Sequence, residues 1–268
     1  MLYRYWRVTQ YLPCAKQKAQ GRLSDVNFFA TSKLRVDLAA AFRLAVYFNW
    51  HESVGNHFSA AVSADGKKFL LNPKWQHFSE ICASDLLLLD AGQAPSLNES
   101  AAPDQSAWCI HGSVHRCNPS ARVILHLHPP YATALAVLKD PSMVPIDQNT
   151  ARFFGMGVDT EFHGMADDEQ EGVRIAKALG THKVFMMANH GITVVGETVA
   201  EAFEELYFFE RAAKTLILAY ASGQPLKIMS NEIAEKTKAS WSNYAGAAFE
   251  HFEALKRMLN KHDDSYRH

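Results

Sequence analysis

The stretch Val123-Ile124-Leu125-His126-Leu127-His128-Pro129-Pro130 begins as a strand, delivers two histidines at alternate positions and stops at a proline pair. A short unbroken run of Val, Ile and Leu suits a strand that is buried. Proline cannot donate to a strand ladder, so the strand ends before Pro129 and both imidazoles sit near its carboxyl end. Residues i and i+2 of a strand face the same way, which puts His126 and His128 on one face. Two imidazoles so placed reach one cation of zinc type when a third ligand arrives from elsewhere. On the pair alone, a metal site and a pair of packing or hydrogen-bonding histidines are equal readings.

Further along, Lys183-Val184-Phe185-Met186-Met187-Ala188-Asn189-His190-Gly191 repeats the device: an apolar strand brings a histidine to its end, and glycine lets the backbone turn. His190 is the candidate third ligand. His126, His128 and His190 then offer three neutral nitrogens and leave a position open for water or substrate, as a catalytic metal site requires. Nitrogen ligands point to zinc first and to manganese or another divalent ion second.

The surrounding segments alternate between strand and helix patterns, which predicts an α/β fold. Ser32 can cap a helix with apolar residues at three- and four-residue spacing, ending near Phe48. Two apolar runs around Asp65-Gly66 read as a hairpin. A short helix is expected over Phe78–Cys82 and a strand over Asp85–Gly92, with Gln93–Pro103 as a loop within one domain. Asp104 or Ser106 opens a helix through Ala107 and His111 that breaks at Asn118-Pro119, and Tyr131–Leu138 forms another behind Pro130. Val158–Phe162 is strand-like, and Asp167 or Asp168 starts a helix that ends at Gly180. Thr198 with Glu201 forms a capping box for a helix to Gly223, and Glu232–Leu259 reads as a second long helical stretch.

The chain has 268 residues, 48% hydrophobic and 21% charged, with a net charge of -1. That length buries a sizeable core, and that charge gives no electrostatic reason to expect nucleic acid or an anionic membrane. No apolar run approaches a membrane span, and the first residues do not read as a signal peptide, so a cytoplasmic protein is expected. The four cysteines are too few and too scattered for a disulfide framework and read as reduced thiols.

Between Leu34 and Gly223 the chain resembles the class II aldolase/adducin superfamily. The residues that carry the likeness are Asn56-His57-Phe58-Ser59, Asn72-Pro73, His111, His126-Leu127-His128-Pro129 and Asn189-His190-Gly191, in that order. The resemblance implies a three-layer α/β/α fold with a central, largely antiparallel sheet and a divalent metal held by His126, His128 and His190. It also implies a cyclic homotetramer with active sites at subunit interfaces, and divides the chain into an arm (1–31), the family domain (32–223) and a helical extension (224–268). The expected substrate-binding residues are His57, Asn72, Lys74 and Ser106.

Three departures from the family pattern bear on the reaction. Aldolases of this family carry a Glu, general acid and base, four residues before the position of His111, and here that residue is Ala107. A methyl group cannot move a proton. Where sugar-phosphate aldolases use small residues after the Asn/Thr-Pro strand end, this chain has Lys74-Trp75, which suits a carboxylate better than a phosphate cradled by backbone amides. The Tyr that some family members use as proton donor is replaced around Gln148-Asn149. The expected function is a lyase, by aldol cleavage or decarboxylation, on a small non-phosphorylated hydroxy-carbonyl or carboxylate compound. The alternative is a non-enzymatic binding or scaffold protein of the adducin branch.

Other residues have readings of their own. His111 and His115 share a helix face, which reads either as a second metal pair or, the favoured reading, as a surface or interface feature. His57 either lines the pocket or serves the turn amides. Asp147 supports a ligand histidine or caps a loop, Tyr207-Phe208-Phe209 is core or subunit contact, and Glu210 with Arg211 is a solvated or interface pair. The last residues, Asp263–His268, either fray or cover a pocket, with fraying the favoured reading.

Overall fold

A computed structural model describes residues 25–244 and 246–268. Helix α1 (Asp25–Tyr47) leads into strands β1 (His57–Ala61), β2 (Lys68–Leu71) and β3 (Leu87–Asp90). A helical segment follows, made of α2 (Gln105–Ala107), a π turn (Trp108–Gly112) and α3 (Ser113–Cys117). Next come β4 (Val123–Leu127), α4 (Pro130–Ala136), α5 (Gln148–Arg152), β5 (Gly157–Asp159) and α6 (Glu169–Leu179). The hairpin β6 (Val184–Met187) and β7 (Gly191–Gly196) precedes α7 (Val199–Ala221), α8 (Asn231–Trp241) and α9 (Ala247–Leu259).

Among the described residues the strands form one seven-stranded sheet, ordered β3-β2-β1-β4-β7-β6-β5. Neighbours pair antiparallel except β5 with β6, which run parallel. Side chains alternate across the sheet, so each strand feeds two cores. Val123, Leu125 and Leu127 of β4 join the larger core with residues of α1, α4, α7 and α9. Ile124 of the same strand faces the other way, into a cluster with Ile110, Val114, Ile175 and Leu179 of the π turn, α3 and α6. The sheet thus lies between two helical layers, the three-layer α/β/α arrangement.

Several elements differ from the sequence expectations. Helix α1 starts at Asp25, well before Ser32, because an exposed Ser or Lys inside a helix costs only tenths of a kcal/mol and need not mark a boundary. Phe78–Cys82 is a run of turns rather than a helix, and Phe78 is buried there against the rings of Phe42 and Phe58. The stretch Glu232–Leu259 is two helices: α8 ends at Trp241, and α9 starts behind Gly246, its N-cap, with a φ of 87°. The chain end is ordered by packing: Tyr266 is fully buried, and its carbonyl accepts from Ala83 N–H at 2.9 Å. Arg43 pairs with Asp263 at 3.2 Å, so the tail closes over α1 and the 81–84 turn rather than fraying or covering a pocket.

Glu210 is buried, not solvated, and it caps the helix behind the proline pair. Its two carboxylate oxygens accept from Tyr131 N–H at 2.9 Å and Ala132 N–H at 2.8 Å. Burial pushes its pKa up to about 7 while those N–H groups pull it down. Replacing Glu210 with Ala strands two donors at the start of α4 and is expected to cost about 2–4 kcal/mol. A urea midpoint unchanged in Glu210→Ala would contradict this assignment.

Candidate metal centre

The sheet register brings the site together. His57 on β1 pairs with His126 on β4, and His126 pairs with Thr193 on β7, so three side chains from three strands face the same layer. His128 follows two residues on, beyond the strand end, and His190 arrives from the β6–β7 turn. Ring centroids lie 5.2 Å apart for His126–His128, 4.8 Å for His126–His190 and 4.7 Å for His128–His190. One ligand nitrogen of each lies within 4.8 Å of the other two. A tetrahedral ion with bonds of about 2.0–2.1 Å holds its nitrogens about 3.4 Å apart, so the rings have to draw in to grip one.

The nitrogens themselves fit a cation. His126 Nδ1 is engaged with Thr193 Oγ1 at 3.0 Å, and His128 Nδ1 with Glu52 Oε2 at 2.5 Å. A partner at Nδ1 fixes the tautomer and leaves Nε2 as the ligand atom. His128 Nε2 is buried and has no hydrogen-bond partner, a position that costs free energy unless a cation or a hydrogen-bond donor occupies it. Burial holds His126 well below the usual histidine range, and it lowers His190 to about 4 with help from His128. Both therefore present lone pairs at neutral pH.

Gly191 makes the packing possible. A Cβ there would meet His128 Cδ2 at 2.3 Å and the Leu127 carbonyl at 2.8 Å. Gly191→Ala therefore displaces the His128 ring, and we expect a 10–100-fold loss of metal affinity in a chelator competition. Unchanged affinity would count against His128 as a ligand.

The three histidines open onto a cavity of about 510 Å³ that His57, Asn72, Lys74 and Ser106 also line. The expected substrate-binding residues thus share one chamber with the expected ligands. Some are already occupied: Asn72 Oδ1 accepts from Phe58 N–H at 3.2 Å, and Lys74 Nζ donates to the Leu97 carbonyl at 2.5 Å. Asn56, Trp75 and Asn189, all on the cavity wall, have φ of 75°, 61° and 54°. Asparagine tolerates that region, whereas a bulky residue does so only under constraint, and Trp75 is 69% exposed. A larger cleft, about 600 Å³, lies beside Arg152, Lys183 and Trp241 and carries no metal-type cluster among the described residues.

Ala107 does not line this cavity. It is buried against Phe69, Leu71 and Ala91. Asp104 and Ser106 face the chamber instead. Burial raises Asp104, but hydrogen bonds from Ser106 and Ala107 outweigh it and hold the carboxyl below its usual range. As the N-cap of α2, accepting from Ser106 N–H at 2.9 Å and Oγ–H at 2.6 Å, it is a poor proton acceptor. It does not replace the missing Glu.

His111 and His115 are fully buried, contrary to the surface role expected for them. Ser59 Oγ lies 2.6 Å from His111 Nδ1 and 2.8 Å from His115 Nε2, and His111 Nε2 lies 2.8 Å from His57 Nδ1. Burial lowers His57 and His111 far below the ordinary value and takes His115 to about 3. Of the two roles open to His57, the structure supports cavity lining. Asp147 is the N-cap of α5, with a capping box through Thr150, which is the capping role of its two readings. Sequence reading missed Glu52 and Thr193, whose partnership with the ligands depends on a loop and on strand register.

Residues 36–217 match the family model of the class II aldolase and adducin N-terminal domain. The chain belongs to that family. It is 29% identical over 216 residues to a Caulobacter vibrioides protein provisionally named an aldolase class 2 protein, covering 81% of this chain and 82% of that one. Human beta-adducin is 28% identical over 243 residues, 85% of this chain but 33% of the adducin, so this chain spans about a third of that relative. The crystal structure of an aldolase II superfamily protein from Pseudomonas syringae superposes with a TM-score of 0.80 at 29% identity, covering 89% of this chain and 96% of that one.

Proposed function

We propose that the protein is a divalent-metal-dependent lyase acting on a small, non-phosphorylated hydroxy-carbonyl or carboxylate compound. The observation that carries this reading is the convergence of His126, His128 and His190, with the buried His128 Nε2 left without a partner, on a cavity lined by polar side chains. The ion they would hold, zinc first and manganese or another divalent ion second, supplies Lewis acidity toward a carbonyl or carboxylate oxygen. Lys74 offers a positive charge to a carboxylate, and Ser106 and His57 offer hydrogen bonds. Trp75 stands where a phosphate would need open backbone, which supports a substrate without one.

Ala107 shapes the choice of reaction. Aldol cleavage begins by removing a hydroxyl proton, and neither Ala107 nor the hydrogen-bonded carboxylate of Asp104 is suited to take it. Decarboxylation breaks one C–C bond, releases carbon dioxide and leaves the electron pair on the organic fragment, which ends with a proton from water. No hydroxyl proton has to leave first, so decarboxylation is the favoured step.

The reading extends to a homotetramer in the cytoplasm, which the family likeness implies. No helix among the described residues is long and apolar enough to cross a membrane. The second reading, a non-enzymatic adducin-like scaffold, draws on Ala107 and on the match to beta-adducin. Metal-loaded protein assayed against hydroxy acids and hydroxy-carbonyl compounds separates the two. Turnover that disappears on chelation supports the lyase. Neither turnover nor ligand binding in metal-replete protein would sink it.

A further inference from the structure

The buried chain His57–His111–Ser59–His115 has to arrange one proton in each of its three hydrogen bonds. A serine hydroxyl has one proton, so Ser59 donates to one histidine and accepts from the other. If it donates to His115, then His111 donates to it, His57 donates Nδ1–H to His111, and His57 turns a bare Nε2 to the cavity. His115 must then carry its own proton on Nδ1, which is buried beside the Phe69 ring and has no partner. If Ser59 donates to His111, every bond reverses, and His115 Nδ1 is left as an unpaired acceptor. Among backbone groups, buried N–H without a partner is rarer than an under-satisfied carbonyl, and the inference extends that order to the imidazole, so that the unpaired acceptor is the cheaper end for His115. The cavity end favours the same order, because the carboxylate of Asp104 lies on that wall and attracts an N–H dipole.

We infer that His111, Ser59 and His115 lock His57 in the tautomer whose Nε2–H points into the metal cavity, as a fixed donor to a carboxylate or carbonyl oxygen of the substrate. The inference rests on the cavity's being the reaction site. His57 lines that cavity, and its Nε2 makes no hydrogen bond among the described residues. The ring is held flat against His126, centroids 4.9 Å apart and planes 21° off parallel, so the donor direction is set before a ligand arrives. The same count excludes a proton wire. To deliver a proton and recover one, His57 would have to draw through His111 and Ser59 on His115, whose far nitrogen meets nothing that could resupply it. His111, Ser59 and His115 are positioning residues, and His57 is assigned the role of a hydrogen-bond donor.

Nitrogen-15 spectra of the histidine rings in metal-free, full-length protein at neutral pH read the tautomer directly, with His57→Gln used for assignment. The expected result is His57 protonated on Nε2. Ser59→Ala removes the lock and is expected to mix both tautomers of His57, while His115→Phe, which leaves Ser59 free to donate to His111, keeps Nε2–H. His57 protonated on Nδ1 in the native protein, or an unchanged tautomer in Ser59→Ala, overturns the inference. Use of the donor is read by titrating zinc-loaded protein with oxalate. His57→Leu is expected to weaken binding about tenfold or more, and His57→Gln, which keeps an N–H at that end, to retain it. Equal binding in His57→Leu and wild type, or no binding to zinc-loaded wild type, overturns the donor role. Zinc content of the same samples tests the proposed function separately, since the tautomer is measured without metal.

Discussion

Alanine at His126, His128 or His190 is expected to lower zinc affinity by at least a hundredfold and to abolish turnover. Tight zinc binding by four protein ligands is worth about 10–16 kcal/mol, so each ligand contributes a few kcal/mol, and roughly 1.4 kcal/mol is a factor of ten. The three positions differ in what else they lose. His126 is buried and bonded to Thr193, so its removal also opens a gap in the sheet face. His128 and His190 are less enclosed, and their variants are the cleaner probes. In them the far-ultraviolet spectrum, thermal midpoint and oligomeric state should match the metal-free native protein while metal and activity are gone. Loss of the native assembly state together with the metal would instead show a structural ion, a role that neither the lyase nor the scaffold reading requires.

The second large effect is acid sensitivity of the metal-free protein. An unfolded histidine titrates near 6.5, whereas burial takes His115 to about 3 and drives His111 far down as well. Below pH 6.5 the unfolded chain binds protons that these rings in the folded chain refuse. Stability is therefore complete above about pH 7 and falls as the pH drops, until His115 itself titrates near 3. The slope is about 1.4 kcal/mol per pH unit for each such ring. Glu210 opposes the trend, because its raised pKa, about 7, lets the folded state hold an extra proton between roughly 4.5 and 7. Two or more buried rings outweigh one carboxyl. Urea titrations from pH 7.5 to 4.5 should show a falling unfolding free energy, and His115→Phe should flatten the slope by about one proton. A flat profile would show that these rings are solvated or paired in solution.

Much of the site was legible in the sequence because it depends on local rules. Alternation placed His126 and His128 on one face, the proline pair placed them at a strand end, and Asn189-His190-Gly191 announced a turn that brings His190 to them. The antiparallel sheet followed from the family likeness, and the Thr198–Glu201 and Asp168 caps were readable from residue type. What stayed hidden came from distant partners. The burial of His111 and His115 depends on Ser59, more than fifty residues earlier in the chain. The burial of Ala107 against Phe69, Leu71 and Ala91 comes from strands far back in the chain, and the π turn that follows at Trp108 is signalled by no residue type. Tyr266 looked like part of a loose end because its partners, Ala83 and Asn260, lie on other elements.

The central claim is that one divalent ion sits on three imidazoles at the strand ends, and zinc-edge X-ray absorption tests it most directly. Protein prepared metal-free and brought to one equivalent of zinc is predicted to bind one ion per chain, with three imidazole nitrogens and a lighter oxygen ligand in its shell. The His126→Ala/His128→Ala/His190→Ala variant is predicted to lose that signature. A shell containing sulfur, zinc binding that survives the triple substitution, or no binding by the native chain would contradict the account.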